Sequence, residues 1–350
     1  MTQHRTAVPT GTRTWLDPEW RHGALAWAEA ELGRHGRAVT GPAEQAHVRP
    51  WSTAIRIPTD AGPVWFKASG PGSAHEGPLL DVFRAAGARN VLLPLARHPD
   101  RPWILFEDGG ATLRATRPDG TGDHDMDAWE RILREYAAVQ RALEARDSVE
   151  SMLAAGVPDR RPDRLIAELE RLLDDDVAWA RIIPEERDDA VIARERLVLT
   201  MPDLHAAAGR LAASGVAASV QHDDLHGGNI LVGPDGDRIF DWGDAVVAHP
   251  FGTLTTTFNS IAHHTGRELS DPVFARLRDV YTDAWTDVLP PTELGVVAGL
   301  AQALGCIGRS LSWERALTGV GPDEVEAHGD AIAGWLVELA GRLDGVALTA

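Results

Sequence analysis

The chain has 350 residues, of which 44% are hydrophobic and 25% charged, enough apolar material for a core and a length that suits two lobes. Its net charge of −18 sets the surface against nucleic acid and anionic membrane, so neither is expected as a partner. The single cysteine, Cys306, excludes an internal disulfide and a multi-cysteine metal site. The opening stretch MTQHRTAVPTGTRTW has no apolar run of signal-peptide type, and no segment approaches ~18 uninterrupted apolar residues. A cytoplasmic chain without a transmembrane helix is the expectation.

Asp17–Leu32 opens on Asp-Pro and keeps helical apolar spacing, so it reads as a leading helix. Ala54–Ile57 and Val64–Ala68 read as strands joined by the turn Pro58–Pro63. His75–Ala86 reads as a helix with Pro78 in its first turn. Val91–Ala96 and Trp103–Phe106 read as further strands. From Asp127 the chain turns helical, first over Asp127–Ala145 with a clear 3.6-residue period, then over Pro162–Leu173, Glu186–Leu197 and Met201–Ser214. Helices resume at Thr253–His264, Pro272–Val288, Thr292–Thr318 and Pro322–Leu343. The layout is α+β: a small strand-rich lobe, a linker, and a larger helical lobe interrupted once, at Ser219–Ala245. An irregular insert in a helical frame is a place for functional loops.

That insert reads SVQHDDLHGGNILVGPDGDRIFDWGDA. Within it stand His222, Asp224 and Asn229 in the order H-x-D-x-x-x-x-N, and Asp241-Trp242-Gly243 follows. The spacing matches the catalytic loop and D-F-G motif of kinases, with Trp242 in the Phe position. Phosphoryl transfer needs a group that orients the attacking hydroxyl and accepts its proton, and cations that neutralise the phosphate oxygens. Asp224 suits the first role; Asn229 and Asp241 offer hard oxygen ligands for Mg²⁺. Ile230–Val232 and Arg238–Phe240 form an expected hairpin around the Gly233–Asp237 turn, which would return Asp241 to Asn229. Among 34 lysines and arginines only Lys67 is lysine. Lysine is a compact point charge and arginine a planar fork, and kinases hold nucleotide phosphates with the former.

With these motifs the chain resembles the aminoglycoside phosphotransferase and choline kinase-like family, whose pattern is HGDLHPGN…IDW. The resemblance implies a bilobal protein kinase-like fold with a small antiparallel-sheet N-lobe over residues 1–106, a hinge over 107–114 and a mainly helical C-lobe over 115–350. It implies ATP and Mg²⁺ as cofactors and a hydroxylated small molecule as acceptor, such as an aminoglycoside or other antibiotic, a sugar or a related metabolite. Asp224 is then the catalytic aspartate, and Asn229 and Asp241 the magnesium ligands. Lys67 holds phosphate, Glu76 pairs with it, and Phe106, Glu107 and Asp108 form the adenine-binding hinge. Asp244, Arg309, Trp313 and Arg315 are candidates for acceptor contact. The chain departs from the pattern at Gly227, where proline is common, and at Asp223, where glycine is frequent. It has no glycine-rich loop before Lys67; Arg49–Thr53 stands there, and Ser52 and Thr53 are its candidate phosphate ligands.

Other readings compete with these. His222 and His226 nearly match the zinc motif H-E-x-x-H, but Gly227-Gly228 opposes the helix that motif requires; His222 reads as a brace of the loop. Asp235-Gly236-Asp237 starts like a calcium loop and fails at Ile239 and Phe240. His263 and His264 read as helix surface. The functional alternative is a catalytically inactive kinase-like module that binds nucleotide or a partner. In either case a monomer or homodimer is the expectation.

Overall fold

The computed structural model describes residues 9–343 apart from Asp235. Residues 1–8 of the opening stretch, and Asp235 in the expected Gly233–Asp237 turn, lie outside the described residues. The described chain begins with α1 (Thr12–Trp15) and α2 (Pro18–Arg34). Asp17 caps α2 by accepting from the N–H groups of Glu19 and Trp20, and Pro18 sits where a missing N–H is harmless.

A five-stranded antiparallel sheet follows: β1 (Glu44–Arg49), β2 (Ser52–Ile57), β3 (Val64–Ser69), β4 (Ala96–Arg97) and β5 (Trp103–Glu107), in the order β1-β2-β3-β5-β4. Side chains alternate across it. Ile55, Ile57, Phe66 and Leu105 point to one face and pack with Trp15, Ala24, Ala28 and Leu32 in a small core under α2. Lys67, one residue on from Phe66, takes the other face. α3 (Glu76–Ala85) is inserted after β3, and its Leu79, Leu80 and Phe83 join the large core of the second lobe.

β1 is an addition to the expected strands, and Pro50-Trp51 is its turn into β2. The expected strand Val91–Ala96 is mostly not one: only Ala96–Arg97 pairs with β5. Val91 instead bridges Ile239, and the Leu92 N–H donates to the Ile239 carbonyl at 2.9 Å. These apolar residues tie the lobes together rather than extend the sheet.

The larger lobe runs through α4 (Met126–Ala142), α5 (Arg146–Ala154), β6 (Asp159–Arg160), α6 (Pro162–Leu173), α7 (Asp176–Ala180), α8 (Arg187–Leu199) and α9 (Met201–Ala213). Next come β7 (Ser219–Gln221), the hairpin β8 (Ile230–Leu231) and β9 (Arg238–Ile239), and β10 (Val246–Ala248). It ends with α10 (Leu254–Thr265), α11 (Pro272–Thr282), α12 (Pro291–Ala316), α13 (Pro322–His328) and α14 (Asp330–Arg342). β6, β10 and β7 form a short mixed sheet, and β8 pairs with β9 in the register Ile230 to Ile239. α12 has a window of mean hydropathy 1.4, long enough to cross a membrane, but 78% of that window is buried inside the lobe. Its apolarity is that of a central core helix. The expected Pro322–Leu343 helix is interrupted at Gly329, where a Cβ would stand 2.6 Å from Arg181 Cδ.

Phe83 and Trp242 carry the packing between α3 and the loop after β9, with ring centroids 4.7 Å apart and both side chains fully buried. Phe83→Ala is expected to destabilise the fold by about 3–5 kcal/mol in urea unfolding. Val191→Ala, on the exposed side of α8, should stay within about 0.5 kcal/mol of the parent.

Candidate active site

Lys67 reaches from β3 into the space between the lobes. Its Nζ lies 2.7 and 2.6 Å from the two carboxylate oxygens of Glu76 and 2.5 Å from Asp241 Oδ1. Glu76 Oε1 also accepts the Trp242 N–H at 3.1 Å. One buried carboxylate on α3 therefore holds both the lysine and the backbone beside Asp241. Burial alone would lower the Lys67 pKa, but Asp241 and Glu76 outweigh it and lift it well above its ordinary value. Burial raises Glu76. Burial opposes ionisation of Asp241 too, yet Lys67 holds that carboxyl below its usual range.

Asp241 has φ 62° and ψ 59°, in the left-handed region that Asp tolerates better than most residues. The bend follows directly on the hairpin. Phe240 N–H donates to the Asn229 carbonyl at 3.0 Å, so the hairpin returns Asp241 to Asn229.

The loop between β7 and β8 is braced by His222. Its Nδ1 accepts the Asp224 N–H at 3.3 Å and its Nε2 donates to the Phe240 carbonyl at 2.9 Å. Those partners set the tautomer. Asn229 Nδ2 donates to the Asp224 carbonyl at 3.0 Å, which leaves Oδ1 as the oxygen the side chain presents. Burial pushes the Asp224 carboxyl upward, but Arg309 first, then His226 and His222, hold it far below the usual carboxylate range. Gly227 is required by close approach: a Cβ there would stand 1.8 Å from Asp123 Oδ1.

Two neighbouring spaces share Lys67 and Asp241 in their walls. The larger, about 380 Å³, is lined by Trp65, Leu92, Leu231 and Phe240 and by Phe106, Glu107 and Asp108. The smaller, about 70 Å³, is lined by Asp224, Asp244, Ser69, Ser73 and Trp51. Ser52 and His47 border both. Thr53 is turned into the sheet, where its hydroxyl donates to the His47 carbonyl at 2.8 Å. Glu107 pairs with Arg37 and Asp108 caps its own turn by accepting the Gly110 N–H.

Arg309 is buried on Asp224 and Asp244 at 3.3 and 3.0 Å. Arg315 lies 3.7 Å from Asp244. Trp313 stands outside the small chamber, its ring 5.4 Å from Trp51. His47, Ser69 and Ser73 carry no motif, and only the tertiary fold brings them here. Among the described residues no group of three or more His, Cys, Asp or Glu side chains is placed to hold a metal ion. Asp241 and Asn229 supply two hard oxygens, the small protein share that Mg²⁺ takes when phosphates and water complete its shell.

The chain matches the model of the phosphotransferase enzyme family over residues 68–290, which includes Glu76, Asp224, Asn229 and Asp241 and begins one residue after Lys67. No curated protein matches it. Its structure is similar to an ethanolamine kinase from Plasmodium vivax, with TM-score 0.58 and 10% identity over 91% of this chain and 89% of that one. A macrolide 2′-phosphotransferase from Brachybacterium faecium gives TM-score 0.52 and 16% identity over 88% and 98% of the two chains. An amicoumacin kinase solved with AMP-PNP and Ca²⁺ gives 0.53 and 12% over 93% and 97%. At such identities the likeness is one of fold, the small antiparallel sheet and larger helical lobe of kinase-like proteins.

Lys67→Met would leave Glu76 as a buried carboxylate without its cation. The variant is expected to lose about 3–5 kcal/mol in urea unfolding. The pair Lys67→Met with Glu76→Gln should recover most of that loss, which a double-mutant cycle measures.

Proposed function

This chain belongs to the phosphotransferase enzyme family, and from that premise we propose that it is an ATP- and Mg²⁺-dependent kinase that phosphorylates a hydroxyl of a small molecule. The observation that carries the reading is the placement of Lys67, Glu76 and Asp241 at the junction of two spaces, one of nucleotide size and one that contains Asp224. The adenine would lie in the larger space against the 106–108 hinge. The amicoumacin kinase bound to AMP-PNP supports nucleotide use by this fold.

Lys67 would hold the phosphates at the junction. Asn229 and Asp241 would hold Mg²⁺, which supplies neutralisation of the charge on the transferring phosphoryl group. Asp224 would orient the acceptor hydroxyl and take its proton as the new O–P bond forms. The bond from the γ-phosphorus to its bridging oxygen breaks and ADP leaves, so the product is an O-phosphate ester. The acceptor would enter past Asp244, Trp51 and Arg315. An aminoglycoside or other antibiotic, a sugar and a related metabolite all fit this reading. An inactive binding module fits less well, because Lys67 is already paired with Glu76 and Asp224 already faces the chamber.

ADP release across a panel of hydroxylated acceptors tests the proposal. Asp224→Asn is expected to lower turnover by about 10²–10⁴-fold while ATP still binds; near-parental activity in that variant would sink the role of Asp224. Lys67→Arg keeps the charge but exchanges a point for a fork, and is expected to lose most turnover. A near-parental rate would refute the phosphate role of the lysine.

A further inference from the structure

Asp223 has no part in the scheme above, yet both of its carboxylate oxygens are buried and hydrogen-bonded. It is 1% exposed and sits at φ 62°, where glycine would stand without strain. Burying a carboxylate there adds a second cost. Burial lifts its pKa to about 6, against the pull of Arg309 and Ser312. A raised pKa means that the folded state binds this proton more tightly than the unfolded chain does. The stability the group contributes is therefore complete in acid and falls as pH rises through about 6. At neutral pH an ionised Asp223 is a burden on the fold.

Its contacts point at the catalytic loop and α12 together. Oδ1 accepts from Gln221 Nε2 at 2.7 Å and Oδ2 accepts from Ser312 Oγ at 2.6 Å. Its carbonyl accepts from Arg309 Nη1 at 2.7 Å and from Thr256 Oγ1 at 3.0 Å. Gly308 brings α12 close: a Cβ there would lie 3.5 Å from Asp223 Oδ1. The guanidinium of Arg309 then spans three aspartates. Nη1 stands 3.9 Å from Asp223 Oδ2 and 3.0 Å from Asp244 Oδ2, and Nη2 stands 3.3 Å from Asp224 Oδ1. Among the described residues, the polar neighbours of Asp224 Oδ2 are long ones, Asn229 Nδ2 at 3.4 Å and His226 Nε2 at 3.5 Å.

We propose that Asp223 and Arg309 are positioning residues: Asp223 pins Arg309 and α12 to the loop, and Arg309 holds Asp224 by Oδ1 so that Oδ2 faces the acceptor hydroxyl. The proposal rests on the kinase reading and extends it to two groups that touch neither nucleotide nor acceptor. It accounts for an aspartate where glycine would be easier, because the carboxylate accepts from Gln221 and Ser312 at once and adds a charge 3.9 Å from Arg309 to the bond its carbonyl already makes. It also gives Arg309 a role inside the protein rather than on the acceptor.

The test compares the parent with Asp223→Asn and Asp223→Gly, both compatible with the backbone angle. Each is assayed for kcat and ATP KM with an accepted substrate, for ATP Kd and for Tm. A shift of about an ångström in a catalytic group lowers rates by about 10²-fold, so kcat should fall by that order. ATP KM and Kd should stay within about twofold, and Tm should match or exceed the parent's. A kcat within about twofold of the parent in Asp223→Gly overturns the clamp and leaves the kinase reading standing. A fall in kcat accompanied by lower Tm and weaker ATP binding also overturns it, since Asp223 would then be a structural brace. Parent enzyme that binds ATP but transfers to no acceptor removes the kinase reading and the clamp with it. Arg309→Gln is a weaker probe, because it leaves three carboxylates without their shared cation.

Discussion

The ion cluster of Lys67, Glu76 and Asp241 is the contact on which the rest of the arrangement depends. It joins a strand of the small sheet, the inserted helix and the bend after the hairpin through one ammonium that lies within 2.7 Å of both carboxylates. Burial makes Glu76 expensive alone, and the ammonium of Lys67 between the two carboxylates makes the set stable together. The Trp242 N–H on Glu76 and the Phe83–Trp242 packing fasten the same three segments from behind. The outcome is a lysine fixed at the seam between the lobes, facing the only asparagine and aspartates of the loop that the motif spacing singles out.

The chemistry of the seam follows from its asymmetry. One side is a cavity walled by Trp65, Leu92, Leu231 and Phe240, suited to a flat apolar base. The other is small and strongly acidic, with Asp224 and Asp244 facing it and Arg309 and Arg315 tucked behind. Within the kinase proposal, the phosphates bridge the two sides and a hydroxyl approaches from the acidic one.

Much of this was legible in the sequence, for definable reasons. Asp224, Asn229 and Asp241 are candidates spaced along one short segment, so they could be picked out by their order, and the hairpin that brings Asp241 back to Asn229 by its apolar runs. Lys67 stood out by composition and Glu76 by its place in a helix after β3. β1 was not legible, because its exposed, mixed residues lack alternation and its pairing is disturbed near Gln45 and His47. Val91 and Leu92 looked like sheet residues because bridging a lobe junction needs the same apolar side chains as a strand. The network around Asp223 joins Gln221, Thr256, and the α12 pair Arg309 and Ser312 from three parts of the chain. No local pattern announces it beyond an aspartate where glycine is frequent. Arg309 and Arg315 share a helix with Trp313, yet only the tertiary fold decides that the first is buried on carboxylates and the last packs on Trp51.

The most direct test of the central claim follows the γ-phosphoryl group itself. ATP labelled in that group is incubated with the protein, Mg²⁺ and separate cationic, neutral and acidic alcohols. The account predicts label in an ester of at least one alcohol, with ADP formed in equal amount and both lost when the divalent metal is chelated. Label recovered only as inorganic phosphate, at a rate indifferent to every alcohol, would contradict it.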